Sequence, residues 1–125
     1  MYSVRIRKHM LIAHSLPSPA FGPAQGLHGA TYVVDACFKA EKLDENNIVI
    51  DIDLASRMLE EVLQPLNYKN LDDLPEFEGK LTTTEFLAAH VHSKLAARIN
   101  HEFSGHLEIT LGESHVAWAA YGAMV

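Results

Sequence analysis

Apolar and polar residues alternate from the start of the chain: Tyr2, Val4, Ile6, Lys8, Met10, Ile12 and His14 fall on one side of an extended segment, with Arg5 and Arg7 on the other. This period of two predicts a first strand from Tyr2 to His14. Ser15, Pro17, Ser18 and Pro19, followed by Gly22, Pro23 and Gly26, break the pattern and predict a loop without regular structure. Alternation resumes at His28 and runs to about Glu41. His28, Ala30, Tyr32, Val34, Ala36 and Phe38 take one side, and Thr31, Val33, Asp35 and Cys37 the other. The β-branched and aromatic side chains in this run favour a pleated surface.

After a polar turn over Leu43–Asn47 the period lengthens. Leu54, Met58, Val62 and Leu66 recur every four residues, joined by Leu59 and Leu63, and predict an amphipathic helix capped by Asp51 or Asp53 and ended by Pro65. Residues 66–80, with Pro75 and Gly79, read as an ordered loop. Thr82 followed by Glu85 predicts a capping box, and Phe86, Leu87, Val91, Leu95 and Ile99 form the apolar face of a second helix ending near Asn100. Two further alternating runs, Leu107 to Leu111 and Val116 to Tyr121, flank Gly112, Glu113, Ser114 and His115 and predict a hairpin. The order strand, strand, helix, helix, strand, strand predicts an α+β fold: an antiparallel four-stranded sheet with both helices on one face. Its uncovered edges would favour assembly.

The 125 residues suit a single domain spanning 1–125, and no repeat or linker divides them. A net charge of −6 provides no basic field for nucleic acid or an anionic membrane. No apolar run approaches the length of a signal core or a membrane span, which points to a soluble protein in the cytoplasm. With Cys37 as the one cysteine, an intrachain disulfide and a Cys-rich zinc site are both ruled out.

The chemistry with most promise lies in two histidines that each end a strand at a loop. His14 and His28 can meet at one rim of the sheet and bind a divalent metal through neutral imidazole nitrogens. The alternative is a pair of hydrogen-bonded rim histidines. Among the rest, His115 shares an alternation face with Glu113, His9 faces away from His14, His90 and His92 sit mid-helix, and His101 and His106 flank a turn.

AHSL at 13–16, LHG at 27–29 with Tyr32 following, Ile50-Asp51, PLNYKNLDD at 65–73, TTE at 83–85, GES at 112–114 and AWAAY at 117–121 together resemble the family of 6-pyruvoyl-tetrahydropterin synthase and the 6-carboxytetrahydropterin synthase of the queuosine pathway. The resemblance covers nearly the whole chain. It implies the tunnelling fold, in which subunits join their sheets into a barrel with active sites between subunits, and so a homo-oligomer, trimer-based or hexameric. It further implies a lyase acting on a dihydroneopterin-type pterin with bound zinc.

Carried over residue by residue, the match is partial. Of the family's three zinc histidines, His14 and His28 are present, and Ala30 occupies the third position. The nucleophilic cysteine would fall in the FGPAQG loop, which has none. Cys37 lies nine residues beyond His28 on the opposite face, roughly 30 Å along an extended strand, and reads as a small buried hydrophobe. The family's Asp-His pair aligns with Asn67-Tyr68, which offers neither an acid nor a base titrating near neutrality. Glu113 matches the carboxylate that grips the pterin ring, and Thr83 and Thr84 match positions beside that pocket. No catalytic residue can be assigned. The third metal ligand would have to come from His115 or another subunit. The competing expectation is a non-catalytic or repurposed pterin- or purine-binding protein of the same fold.

Overall fold

Strand β1 (Tyr2–His14) runs antiparallel to β2 (His28–Ala40) in one unbroken register, from Tyr2 opposite Ala40 to His14 opposite His28. The computed structural model describes all 125 residues, Met1–Val125. Further along the chain come α1 (Ile52–Leu63), the two-residue β3 (Lys69–Asn70), α2 (Thr84–Ile99), β4 (His106–Ser114) and β5 (Ala117–Met124). The sheet order is β3-β1-β2-β4-β5, with β3 parallel to β1 and every other pairing antiparallel. The α+β layer expected from the sequence is present, and β3 adds a fifth strand to the expected four. A two-residue strand has no periodicity to read. It is held at the edge by Asn67, whose Oδ1 accepts from Leu11 N at 2.9 Å, and by Tyr68 N donating to Leu11 O at 2.6 Å.

The alternating pattern determines which face is covered. Ile6, Met10, Ile12, Tyr32, Val34, Ala36, Phe38, Leu107, Ile109 and Leu111 are buried in one core with the apolar faces of both helices. In α1 the buried residues are Ala55, Leu59, Val62 and Leu63, while Leu54 and Met58 sit at the margin. Asp51 is the helix cap: its Oδ1 accepts from Asp53 N at 2.9 Å and Leu54 N at 3.4 Å. At α2 the capping residue is Thr83 and not Thr82, with Thr83 Oγ1 accepting from Phe86 N at 3.1 Å. Thr82 is buried and its hydroxyl is engaged elsewhere.

The loop after β1 is more regular than expected. Pro19–Gln25 forms 3-10 turns, broken where Gly22 takes φ +54°, a left-handed conformation that glycine adopts without a Cβ penalty. Residues 66–80 hold β3 and two further 3-10 turns, Leu71–Asp73 and Pro75–Phe77.

On the helix-free face, Asp35 is only 8% exposed. Arg7 clamps it with two bonds, Nε to Oδ1 at 2.7 Å and Nη2 to Oδ2 at 3.0 Å. The Arg7 hydrogen bond holds the Asp35 carboxyl below the usual carboxylate range against the opposing effect of burial, and the charges of Arg7, Arg5 and His9 act in the same sense as the bond. With the folded value below the unfolded one, this stabilisation is complete above the ordinary carboxylate value of about 4 and is lost as pH falls through the folded value. Melting temperature followed through acid pH should therefore show a component that Asp35→Asn lacks. Identical acid profiles for the two proteins would contradict this.

Both lateral edges of the sheet are open. β5 is exposed along most of its length, including Trp118, Tyr121 and Met124, and β1 has no outer neighbour before Leu11. No helix is long and apolar enough to cross a membrane.

Candidate functional site

The in-register pairing of β1 and β2 sets His14 directly opposite His28, with ring centroids 4.6 Å apart in an edge-to-face arrangement. The rim meeting expected from sequence therefore occurs within one subunit. Each ring is fixed through Nδ1. His28 Nδ1 lies 2.8 Å from Gly26 O, and because a carbonyl only accepts, Nδ1 is the donor and Nε2 is the nitrogen left free of this bond. His14 Nδ1 lies 3.0 Å from the Thr82 hydroxyl. Burial lowers the His14 pKa first and the neighbouring His28 second, against the raising effects of the Thr82 backbone and of the charges of Asp72 and Glu113. Burial thus favours the neutral form of His14, and both rings have Nδ1 committed. Asp72 in turn accepts from Ser15 N at 3.2 Å and Ser15 Oγ at 2.6 Å, tying the chain just past His14 to the 66–80 segment.

Glu113 is positioned by an irregularity. Gly112 pairs with Trp118 and Ser114 with Ala117, so Glu113 is an extra residue on β4, a bulge. Bulges bend a strand and re-aim the side chain they carry. The Glu113 side chain lines a cavity of about 370 Å³ with Thr84, Trp118 and a wall of Ala117, Ala119 and Ala120. Behind Thr84, the Tyr32 hydroxyl is buried without a hydrogen-bond partner; Thr84 is a polar neighbour but does not close a bond with it. Burial raises the Tyr32 pKa, and the nearby Glu113 charge reinforces this, so the phenol stays protonated. Glu113 therefore lies close enough to act on both Tyr32 and His14.

Other expected residues are placed elsewhere. Thr83 spends its oxygen on the helix cap, and Thr84 is the one of the pair that reaches the cavity. His115 does not share the Glu113 pocket: the bulge breaks the alternation, leaving His115 exposed in the tight turn before Ala117. No three His, Cys, Asp or Glu side chains come within joint reach of a metal ion. Ala30, on β2 two residues beyond His28, contributes only a methyl group. Cys37 is buried, as expected of a small hydrophobe. Asn67 serves the edge of β1, while Tyr68 is 78% exposed at φ +61°, unusual for a bulky side chain. Sequence reasoning missed Thr82 as the partner of His14. Its only signal, a threonine before a helix, was equally a capping signal. Larger hollows exist, such as one of about 490 Å³ beside Tyr2 and Ile48, but they lie far from the paired histidines and gather no comparable chemistry.

The sequence profile of the 6-pyruvoyl tetrahydropterin synthase family matches residues 3–123. The 6-pyruvoyl tetrahydrobiopterin synthase of Dictyostelium discoideum is 31% identical over 77 residues, covering 60% of this chain and 57% of that protein. The Homo sapiens protein of the same name is 36% identical over 70 residues, covering 54% of this chain and 48% of its own. The chain thus aligns with about half the length of these curated relatives. In fold the likeness extends over nearly the whole chain. The Caenorhabditis elegans 6-pyruvoyl tetrahydropterin synthase superposes with a TM-score of 0.84 at 20% identity, over 98% of this chain and 95% of that one. A Plasmodium vivax 6-pyruvoyltetrahydropterin synthase, in a variant of a catalytic residue, gives 0.81 at 15% identity over 99% and 98%.

Proposed function

Because this chain belongs to the 6-pyruvoyl tetrahydropterin synthase family, we propose that it binds a dihydroneopterin-type pterin at Glu113 and acts on the pterin side chain as a lyase. The observation that carries this is the bulge that turns Glu113 into a cavity shared with Thr84. A carboxylate accepting two N–H groups from an aminopyrimidinone edge suits such a ring. His14 and His28, anchored through Nδ1, keep Nε2 for a proton or an oxygen of the side chain. Thr84 lines the approach from the start of α2, held there by the Thr83 cap.

The zinc implied by the family fits these residues incompletely. Catalytic zinc normally holds three protein ligands, whereas His14 and His28 supply two and Ala30 none. No step of the proposed chemistry therefore depends on a metal, and zinc held by this pair should be weak and substoichiometric after dialysis.

A second reading is favoured by specific substitutions: the loop without a cysteine, Asn67-Tyr68 and Ala30. It describes a pterin- or purine-binding protein that has lost the family reaction. Zinc-supplemented protein assayed on dihydroneopterin triphosphate separates the two. Product formation abolished by His28→Ala supports the lyase. Saturable binding without product supports the binding protein, and no binding at all overturns both.

The open β1 and β5 edges support assembly into a trimer-based ring or hexamer. Light scattering at micromolar concentration should report a multiple of three subunits; a monomer would count against a site shared between copies.

A further inference from the structure

Trp118 is the single tryptophan of the chain and is 60% exposed, although it stands in an ordered strand. It is not simply loose on the surface. The pyrrole edge of the indole lies against Gly112, its partner across the β4–β5 ladder. A Cβ at Gly112 would sit 2.8 Å from Nε1 and 2.9 Å from Cδ1 of the indole. Gly112 is not in the left-handed region, so glycine is needed here for space and not for backbone freedom. The missing Cβ makes a notch in which the ring is seated, one residue from the bulged Glu113 and in the wall of the same cavity.

The rest of that wall offers alanine methyls, the Thr84 hydroxyl and carboxylates, so the indole is its only aromatic surface. A fused ring gripped at its N–H edge by Glu113 still needs one of its faces covered. Base–aromatic stacking provides this for any flat heteroaromatic ring, and an exposed indole gains by covering its apolar area. We propose that Trp118, seated by Gly112, is the stacking platform that selects a flat fused heteroaromatic ring for the Glu113 cavity. The inference rests on the reading of Glu113 as the ring anchor.

As the sole tryptophan, Trp118 reports on itself. Titrating 7,8-dihydroneopterin into the full chain should change its emission with the same saturation curve that calorimetry gives for binding. Trp118→Ala should weaken calorimetric affinity about tenfold or more, and Trp118→Phe should recover part of the loss. Gly112→Ala, which crowds the indole out of its notch, should weaken binding while retaining the tryptophan. Unchanged affinity in Trp118→Ala, or emission that ignores saturating pterin, overturns the proposal and leaves Glu113 as anchor intact. Weaker binding that appears only with dissociation of the oligomer, seen by light scattering, also overturns it, because the indole would then serve a subunit contact. Absence of pterin binding in the unmodified protein overturns the anchor and the platform together.

Discussion

Replacing Glu113 by alanine is expected to weaken pterin binding by about 1.5–3 kcal/mol, the range for a hydrogen bond to a charged group. That corresponds to a loss of roughly ten- to a hundredfold in affinity at 25 °C. The side chain is exposed in the free protein, so its removal should leave the fold unstrained. The loss would arise when a ligand covers the cavity and its ring N–H groups find neither carboxylate nor water. Glu113→Gln is the sharper comparison. It keeps the shape but replaces an acceptor-only group with one oxygen and an NH2, which opposes one ligand N–H with another donor. Calorimetry should therefore place Glu113→Gln close to Glu113→Ala. Affinity equal to that of the unmodified protein in both variants would remove Glu113 from the site.

Truncation of His92 to alanine should destabilise the protein by about 3 kcal/mol, combining a lost buried side chain with the loss of its hydrogen bond to Leu107 O. His92 lies on the inner face of α2 and is only 5% exposed. Its Nε2 is 3.0 Å from Leu107 O and 3.4 Å from Ala123 O, and its ring meets Tyr121 edge-on at 4.9 Å. Both partners are carbonyls, so Nε2 carries the proton and pins α2 to β4 and β5 together. For a domain of this size the melting temperature should fall by about 10 °C. A variant as stable as the parent would show that packing around Leu95 and Ile99 alone seats the helix. His92, placed mid-helix by the sequence, is thus a polar group of the core.

Much of this architecture was legible in the chain itself. The alternation in β1 and β2 assigned Ile6, Met10, Tyr32 and Phe38 to the covered face, and it placed His14 and His28 on one face at one rim. The four-residue spacing in α1 located an apolar stripe, although its centre lies at Ala55 and Leu59 and not at Leu54 and Met58. The partial match at the metal position was equally visible, since Ala30 is a local fact of sequence.

What the chain by itself determined was the type of each main element and the face each side chain takes, because the periods of strand and helix follow from backbone geometry within a few residues. Tertiary structure alone decided the partnerships. Thr82 serves His14 across 68 residues and so yields the cap to Thr83. Asn67 serves the β1 edge at Leu11 across 56 residues, which creates β3. The bulge at Glu113 arises from the pairing of β4 with β5, and it takes His115 out of the face that alternation assigned to it. The indole of Trp118 finds its notch only because that pairing sets Gly112 opposite it. Each of these depends on which distant groups meet once the elements pack, and that is settled by burial and hydrogen-bond satisfaction over the whole domain, for which no local period exists.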